Sequence, residues 1–188
     1  MKTTINFFKI GMIALIALLS TSCDDIDSEK EWGNALLYIS QSTIQSGGTN
    51  CNYTVVVKNI ASDTTVVVGV YRSGLQELKA VEVNLSIDND SLTQAIARSS
   101  DPAASSDFNI YKTAKLLPAN YYTIPEKISI KNGNREGYAD IILNRKALYA
   151  DPFFVAGNRY ILPLRISNPT RYELNSKLSL TMFIFEPF

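Results

Sequence analysis

Apolar residues in this chain recur at every second position, in several separate runs, and this spacing limits the possible folds more than any other feature. Val81, Val83, Leu85 and Ile87 alternate with Glu82, Asn84, Ser86 and Asp88. Successive side chains of a strand point to opposite faces, so a run of this kind buries one face and wets the other. Tyr160, Leu162, Leu164 and Ile166 form a second run, and Leu178, Leu180, Met182 and Ile184 a third. Shorter runs at Leu36–Ser40, Tyr53–Lys58, Thr65–Tyr71, Ile128–Lys131 and Tyr138–Leu143 bring the set to about eight. Pro163 falls on the opposite face of the second run. Proline cannot donate to a ladder, so that strand is expected at a sheet edge or at a bulge.

Turn chemistry separates the runs. Ser46-Gly47-Gly48, Arg72-Ser73-Gly74 and Lys131-Asn132-Gly133-Asn134 supply residues that tolerate positive φ. One helix is expected over Asp90–Ala97, where Leu92, Ala95 and Ile96 have helical spacing and Asp90 or Ser91 can cap. Residues 99–107, SSDPAASSD, have no periodicity and suggest a mobile loop, and Arg145–Tyr149 suggests a further helical turn. Many short strands without βαβ alternation predict an all-β chain: an antiparallel β-sandwich with one short helix.

The N-terminus has a different character. Lys2 and Lys9 precede an apolar stretch, Ile10–Leu19, broken only by Gly11. A membrane-crossing helix needs about 20 apolar residues, so a cleaved export signal fits this stretch better than a membrane span. Small residues Ser20, Thr21 and Ser22 lead into Cys23, and the acids Asp24, Asp25, Asp27 and Glu29 follow at once. The S-T-S-C junction resembles the lipobox of bacterial lipoproteins, in which the cysteine thiol takes a diacylglycerol and becomes the new N-terminus. The acids after it resemble the signal that sends Bacteroidetes lipoproteins to the outer face of the outer membrane. The organisation expected is a lipoprotein signal at 1–22, a lipidated cysteine with an acidic tether at 23–33, and one domain at 34–188. Two or three acyl chains anchor firmly, at about 0.8 kcal/mol per buried methylene.

Composition removes several classes of function. The 188 residues carry 18 basic and 18 acidic side chains, so no electrostatic footprint for nucleic acid is present. There is no histidine, which excludes Ser-His-Asp and Cys-His nucleophilic systems and most catalytic zinc sites. Paired carboxylates, as glycosidases use, remain open, but the acids are scattered. Asp88-Asn89-Asp90 has the acid spacing of part of a calcium loop without its glycine and distal glutamate, and a helix N-cap accounts for it more simply. With Cys23 acylated, Cys51 has no partner, and it is expected to be a buried free thiol. No metal, cofactor or catalytic residue is expected.

Three stretches together, LLPANYYTIPEKISIKNG (116–133), YILPLRISN (160–168) and the terminal KLSLTMFIFEP, are similar to a Bacteroidetes surface-lipoprotein domain of unknown function. The resemblance covers 34–188. It implies an Ig-like fold and, by association with glycan-utilisation loci, a carbohydrate-related role; it carries no ligand residues to transfer.

Sugars present apolar C–H faces that stack on exposed rings, while polar neighbours take the hydroxyls. Tyr149, Phe153 and Phe154 in the segment KALYADPFFVAGN, and Arg171 with Tyr172 in another loop, are the candidate ligand groups. The competing expectation is that Phe153 and Phe154 cover one end of the core and Trp32 the other. The function expected is that of a non-enzymatic outer-membrane surface lipoprotein, held to the membrane by its lipid anchor, that binds polysaccharide or supports a glycan-utilisation complex with other surface lipoproteins. The alternative is a structural, adhesive or protein-docking module with no sugar site.

Overall fold

The computed structural model describes residues 35–44, 47–48, 51–60, 62–74 and 77–188. Cys23, the acidic tether and Trp32 lie outside the described residues. Asn34–Phe188 forms one compact unit.

Among the described residues, eleven strands and three short α-helices follow in chain order: β1 (Leu36–Ile39), β2 (Asn52–Val57), β3 (Thr64–Arg72), β4 (Val81–Ile87), α1 (Asn89–Ser99), β5 (Lys115–Leu116), β6 (Tyr122–Thr123), β7 (Lys127–Ile130), β8 (Glu136–Leu143), α2 (Arg145–Ala150), α3 (Pro152–Val155), β9 (Tyr160–Ser167), β10 (Glu173–Leu174) and β11 (Leu180–Pro187). They form two sheets, β10-β1-β3-β8-β6 and β2-β11-β9-β4-β7, with β5 lying beside β9. The architecture is the expected all-β, Ig-like sandwich. Its pairing is not wholly antiparallel, because β1–β10, β2–β11 and β5–β9 run parallel.

The two inner faces follow from the alternation. Val66, Val68 and Val70 of β3 meet Ala139, Ile141 and Leu143 of β8 on one side; Val81, Val83, Leu85, Leu162, Leu164, Phe183 and Phe185 close from the other. Each fully buried Val, Leu, Ile or Phe of this set favours folding by about 1.5–3 kcal/mol. The sheets come closest where β7 meets β8. A Cβ on Gly137 would lie 2.4 Å from the carbonyl oxygen of Ser129, so only glycine fits there.

β9 and β11 are buried on both faces. The reason is α1, which lays Leu92 and Ala95 on Ile161, Met182 and Ile184, and the 3₁₀ helix Ser106–Tyr111, which adds Tyr111. Asp88 caps α1 rather than Asp90 or Ser91: its Oδ1 accepts from the Ser91 amide at 2.9 Å, and Oδ2 accepts from Arg165. Residues 99–107 are thus not a featureless loop, since their far end enters a helix whose Tyr111 docks on the sheet.

For the strand that carries Pro163 the sequence offers an edge or a bulge, and the structure rules out the edge. β9 is interior, between β11 and β4. Pro163 pairs with Met182 on one side, but the Met182 amide points away, to Cys51. On the other side β5 pairs only as far as Ile161 and β4 begins at Leu164. Pro163 falls in the gap between them, and its carbonyl accepts from the Asp88 amide at 2.9 Å as the chain turns into α1. No neighbouring strand needs the N–H that proline lacks.

Candidate functional site

The sequence-predicted ligand residues sit at two places, and most of them are structural. Phe154 is completely buried, stacking on Tyr160 and meeting Tyr149 edge-on at 5.6 Å. It is a core residue, with no face left for a sugar, as the competing expectation held. Phe153 packs on Tyr160 at 5.1 Å, and the Lys115 ammonium lies 4.0 Å from its ring centroid. Tyr149 gives its hydroxyl proton to the Val57 carbonyl at 2.5 Å, so only its ring remains available. Asp151 between the helices accepts from Tyr160 (2.5 Å), Tyr121 (3.1 Å) and the Phe153 amide (2.8 Å). The Tyr160 hydroxyl, together with those other donors, holds the Asp151 carboxyl below its ordinary pKa, and burial pushes Tyr160 up.

Tyr172 adopts φ +64°, a left-handed conformation unfavourable for a side chain of its size. Three contacts hold it: its hydroxyl donates to Glu77 O (2.6 Å) and accepts from the Lys79 amide (3.0 Å) and Arg72 Nη1 (3.0 Å). Arg72 itself is completely buried, with its guanidinium also donating to the carbonyls of Lys79 and Asn134 and lying against the Tyr172 ring. The pair is a clamp between loops. Arg171 beside it is exposed. Cys51 is a free thiol, half-buried rather than fully so, its Sγ 3.3 Å from Lys177 O. Burial raises its pKa, which keeps it protonated and poorly nucleophilic.

Two surfaces that the sequence reasoning missed present chemistry to solvent. The first is the outer face of the sheet containing β3 and β8. Because Gly137, Ala139, Ile141 and Leu143 face inward, Glu136, Tyr138, Asp140 and Ile142 face out. Tyr138 is 61% exposed and crosses the space above Gly69, where an added Cβ would come within 3.3 Å of its ring. Its hydroxyl donates to Glu136, which raises its pKa. Tyr38 and Tyr71 pair across β1 and β3 with ring centroids 5.3 Å apart. Gln41 extends the β1 edge, its amide bonding Val67 O and the Gly69 amide, both at 3.0 Å. The result is a shelf of tyrosines on hydrogen-bonded strands, Tyr138 exposed and the tilted pair Tyr38 and Tyr71 half-buried, with carboxylates beside them.

The second is a groove of about 590 Å³ lined by Asn59, Ile60, Arg145, Lys146, Tyr149 and Ala150. The β2–β3 connection forms one wall and α2 the other. Of the sequence-predicted residues, Tyr149 is the one that reaches it. Among the described residues no three His, Cys, Asp or Glu side chains gather to hold a metal ion, and no helix is long and apolar enough to cross a membrane.

The domain is thus an Ig-like sandwich with a tyrosine-bearing outer face and a lateral groove. Residues 32–173 match the family described as "-like, N-terminal domain", and the chain belongs to it. Solved structures share the fold. One of unknown function from Bacteroides ovatus superposes with a TM-score of 0.60 at 16% identity, covering 81% of this chain and 47% of that one. A two-domain protein of unknown function from Bacteroides fragilis gives 0.53 at 12%, covering 82% and 46%. An auxiliary nutrient binding protein from Bacteroides thetaiotaomicron gives 0.50 at 17%, covering 73% and 44%. The chain thus spans about half the length of the solved relatives it matches, and it is similar to a Bacteroidetes domain of unknown function. No curated protein matches the sequence.

Proposed function

We propose that this domain is a non-enzymatic glycan-binding accessory of a Bacteroidetes glycan-utilisation system, displayed on the cell exterior by lipid chains at Cys23. The observation that carries this reading is the tyrosine shelf. Tyr138, Tyr38 and Tyr71 lie on hydrogen-bonded strands with Glu136 and Asp140 beside them, so rings meet sugar C–H faces while carboxylates accept from hydroxyls. A rigid platform loses little conformational entropy on binding. The structural relative called an auxiliary nutrient binding protein is consistent with this role.

The second reading is protein docking through the same face. It is favoured by Val67 and Ile142, which are 44% and 45% exposed beside the tyrosines and add apolar area of the kind that interfaces use.

Affinity electrophoresis of the chain through gels containing neutral polysaccharides separates the two. Retardation by at least one neutral polymer, lost in Tyr138→Ala while the melting temperature holds, supports the glycan reading. Docking takes its place if every polymer leaves mobility unchanged and a co-encoded lipoprotein co-purifies through this face. Metabolic labelling with a fatty acid tests the anchor, with label expected on the wild-type chain and absent from Cys23→Ser.

A further inference from the structure

Arg145 is buried in an unusual way. It is 2% exposed, and its one hydrogen bond among the described residues runs from Nη1 to Lys58 O at 3.1 Å. Its Nε is buried with no partner. A guanidinium has five N–H donors; among the described residues only Nη1 has an acceptor, and no carboxylate among them pairs with it. An unpaired buried charge is among the most costly features a fold can carry. That cost falls away when an outside anion supplies the missing oxygens, and Arg145 lines a groove from which such an anion could reach it.

The rest of the groove narrows the ligand. Lys146, exposed at the rim, adds a second positive charge. Tyr149 has given its hydroxyl to Val57 O and offers an apolar ring, and Ile60, 60% exposed, offers another apolar surface opposite polar Asn59. A bare inorganic anion would use the cations and leave the ring and the isoleucine idle. A volume of about 590 Å³ is within the range of small-ligand sites, which run from about 300 to 1,000 Å³. The planar fork of arginine suits a carboxylate or sulfate in a two-point contact.

We infer that this groove binds an acidic sugar unit, a uronate or a sulfated residue within a polysaccharide, with Arg145 on its anion, Lys146 beside it and Tyr149 against its ring. The inference rests on the glycan-binding role above and narrows its ligand class.

The test compares polymers that share a backbone and differ in charge: dextran with dextran sulfate, and galactan with polygalacturonate, titrated against the full-length chain in detergent. The acidic member of each pair is expected to bind at least tenfold tighter, with affinity falling as salt rises. Arg145→Met should lose at least tenfold in affinity for the acidic polymers while its melting temperature stays level or rises; a purely structural arginine would lower it. Lys146→Ala, at an exposed position, should lose a few fold, and it decides the matter if Arg145→Met does not fold. Wild-type affinity for dextran sulfate in both variants overturns the inference. So does equal binding of charged and neutral polymers, which would leave the tyrosine shelf and the broader function standing. If sodium sulfate stabilises the wild type and not Arg145→Met while no acidic polymer binds, the site is an anion site without a sugar and the inference falls. Failure of every polymer, neutral and acidic, removes the glycan role together with it.

Discussion

Two arginines are buried in this sandwich to nearly the same depth, at 0% and 2% exposure, and their surroundings differ in kind. Around Arg72 the protein has arranged oxygens: the carbonyls of Lys79 and Asn134 and the Tyr172 hydroxyl, with the tyrosine ring against the guanidinium; its Nε, like that of Arg145, has no partner among the described residues, so the two differ at their Nη groups. Around Arg145 there is one carbonyl and then a groove. The first guanidinium is a mortar between loops. The second keeps donors that no described residue answers. Burial alone therefore does not separate a structural charge from a functional one; the tally of answered donors does.

The comparison is sharpest in stability measurements. Arg72→Met should show the largest effect, about 3 kcal/mol or more, because it leaves buried loop oxygens without a donor; chemical denaturation followed by circular dichroism measures it. Gly137→Ala, near the same end of the molecule, drives a methyl onto the Ser129 carbonyl and should cost about 1–3 kcal/mol in the same assay. Tyr172→Phe keeps the ring and removes the hydroxyl shared by Arg72, Lys79 and Glu77, for an expected loss of about 1–2 kcal/mol. Arg145→Met should be the smallest, neutral or stabilising by up to about 1 kcal/mol. A loss as large as that of Arg72→Met would erase the distinction between the two sites.

The acid sensitivity of the fold has a separate source. Asp88 supplies part of it. Burial opposes its ionisation, but the Ser91 amide and the Arg165 guanidinium more than offset this and hold its pKa below the usual carboxylate range. Its folded-state pKa is therefore lower than the unfolded value, near 3.9. The stabilisation is present above that value and is lost as pH falls through the folded one. Asp88→Ala should cost about 1 kcal/mol at neutral pH through the lost cap, and its stability should fall less steeply than that of the wild type below about pH 4.

How much of this was legible in the sequence depended on whether a signal was local. The alternation over 81–87 and 138–143 placed β4 and β8 and their inward faces, because one face of each is polar. β3, TTVVVGVYR, is nearly continuous in apolar residues, so the outward set of Val67, Gly69 and Tyr71 could not be separated from the inward one. The segment KALYADPFF read as a loop rich in rings; its helices turn Phe154 inward, and that depends on where α2 and α3 dock. Pro163 pointed to an edge or a bulge because the gap between β5 and β4 exists only once three distant strands are assembled. Arg145 gave no signal at all. Its isolation results from the carbonyl of Lys58, 87 residues away, and the groove beside it.

β11 pairs over Met182–Pro187 with β2, some 130 residues earlier in the chain, and also with β9. Half of the sandwich therefore cannot close until the last strand has been synthesised and has found a distant parallel partner. Pairings of such high contact order are slow, and sandwiches that depend on them typically fold in milliseconds to seconds. Until β11 arrives, β2 and β9 each lack this neighbour and stand with an open edge, so the sheet has the most to lose from any delay in that one strand.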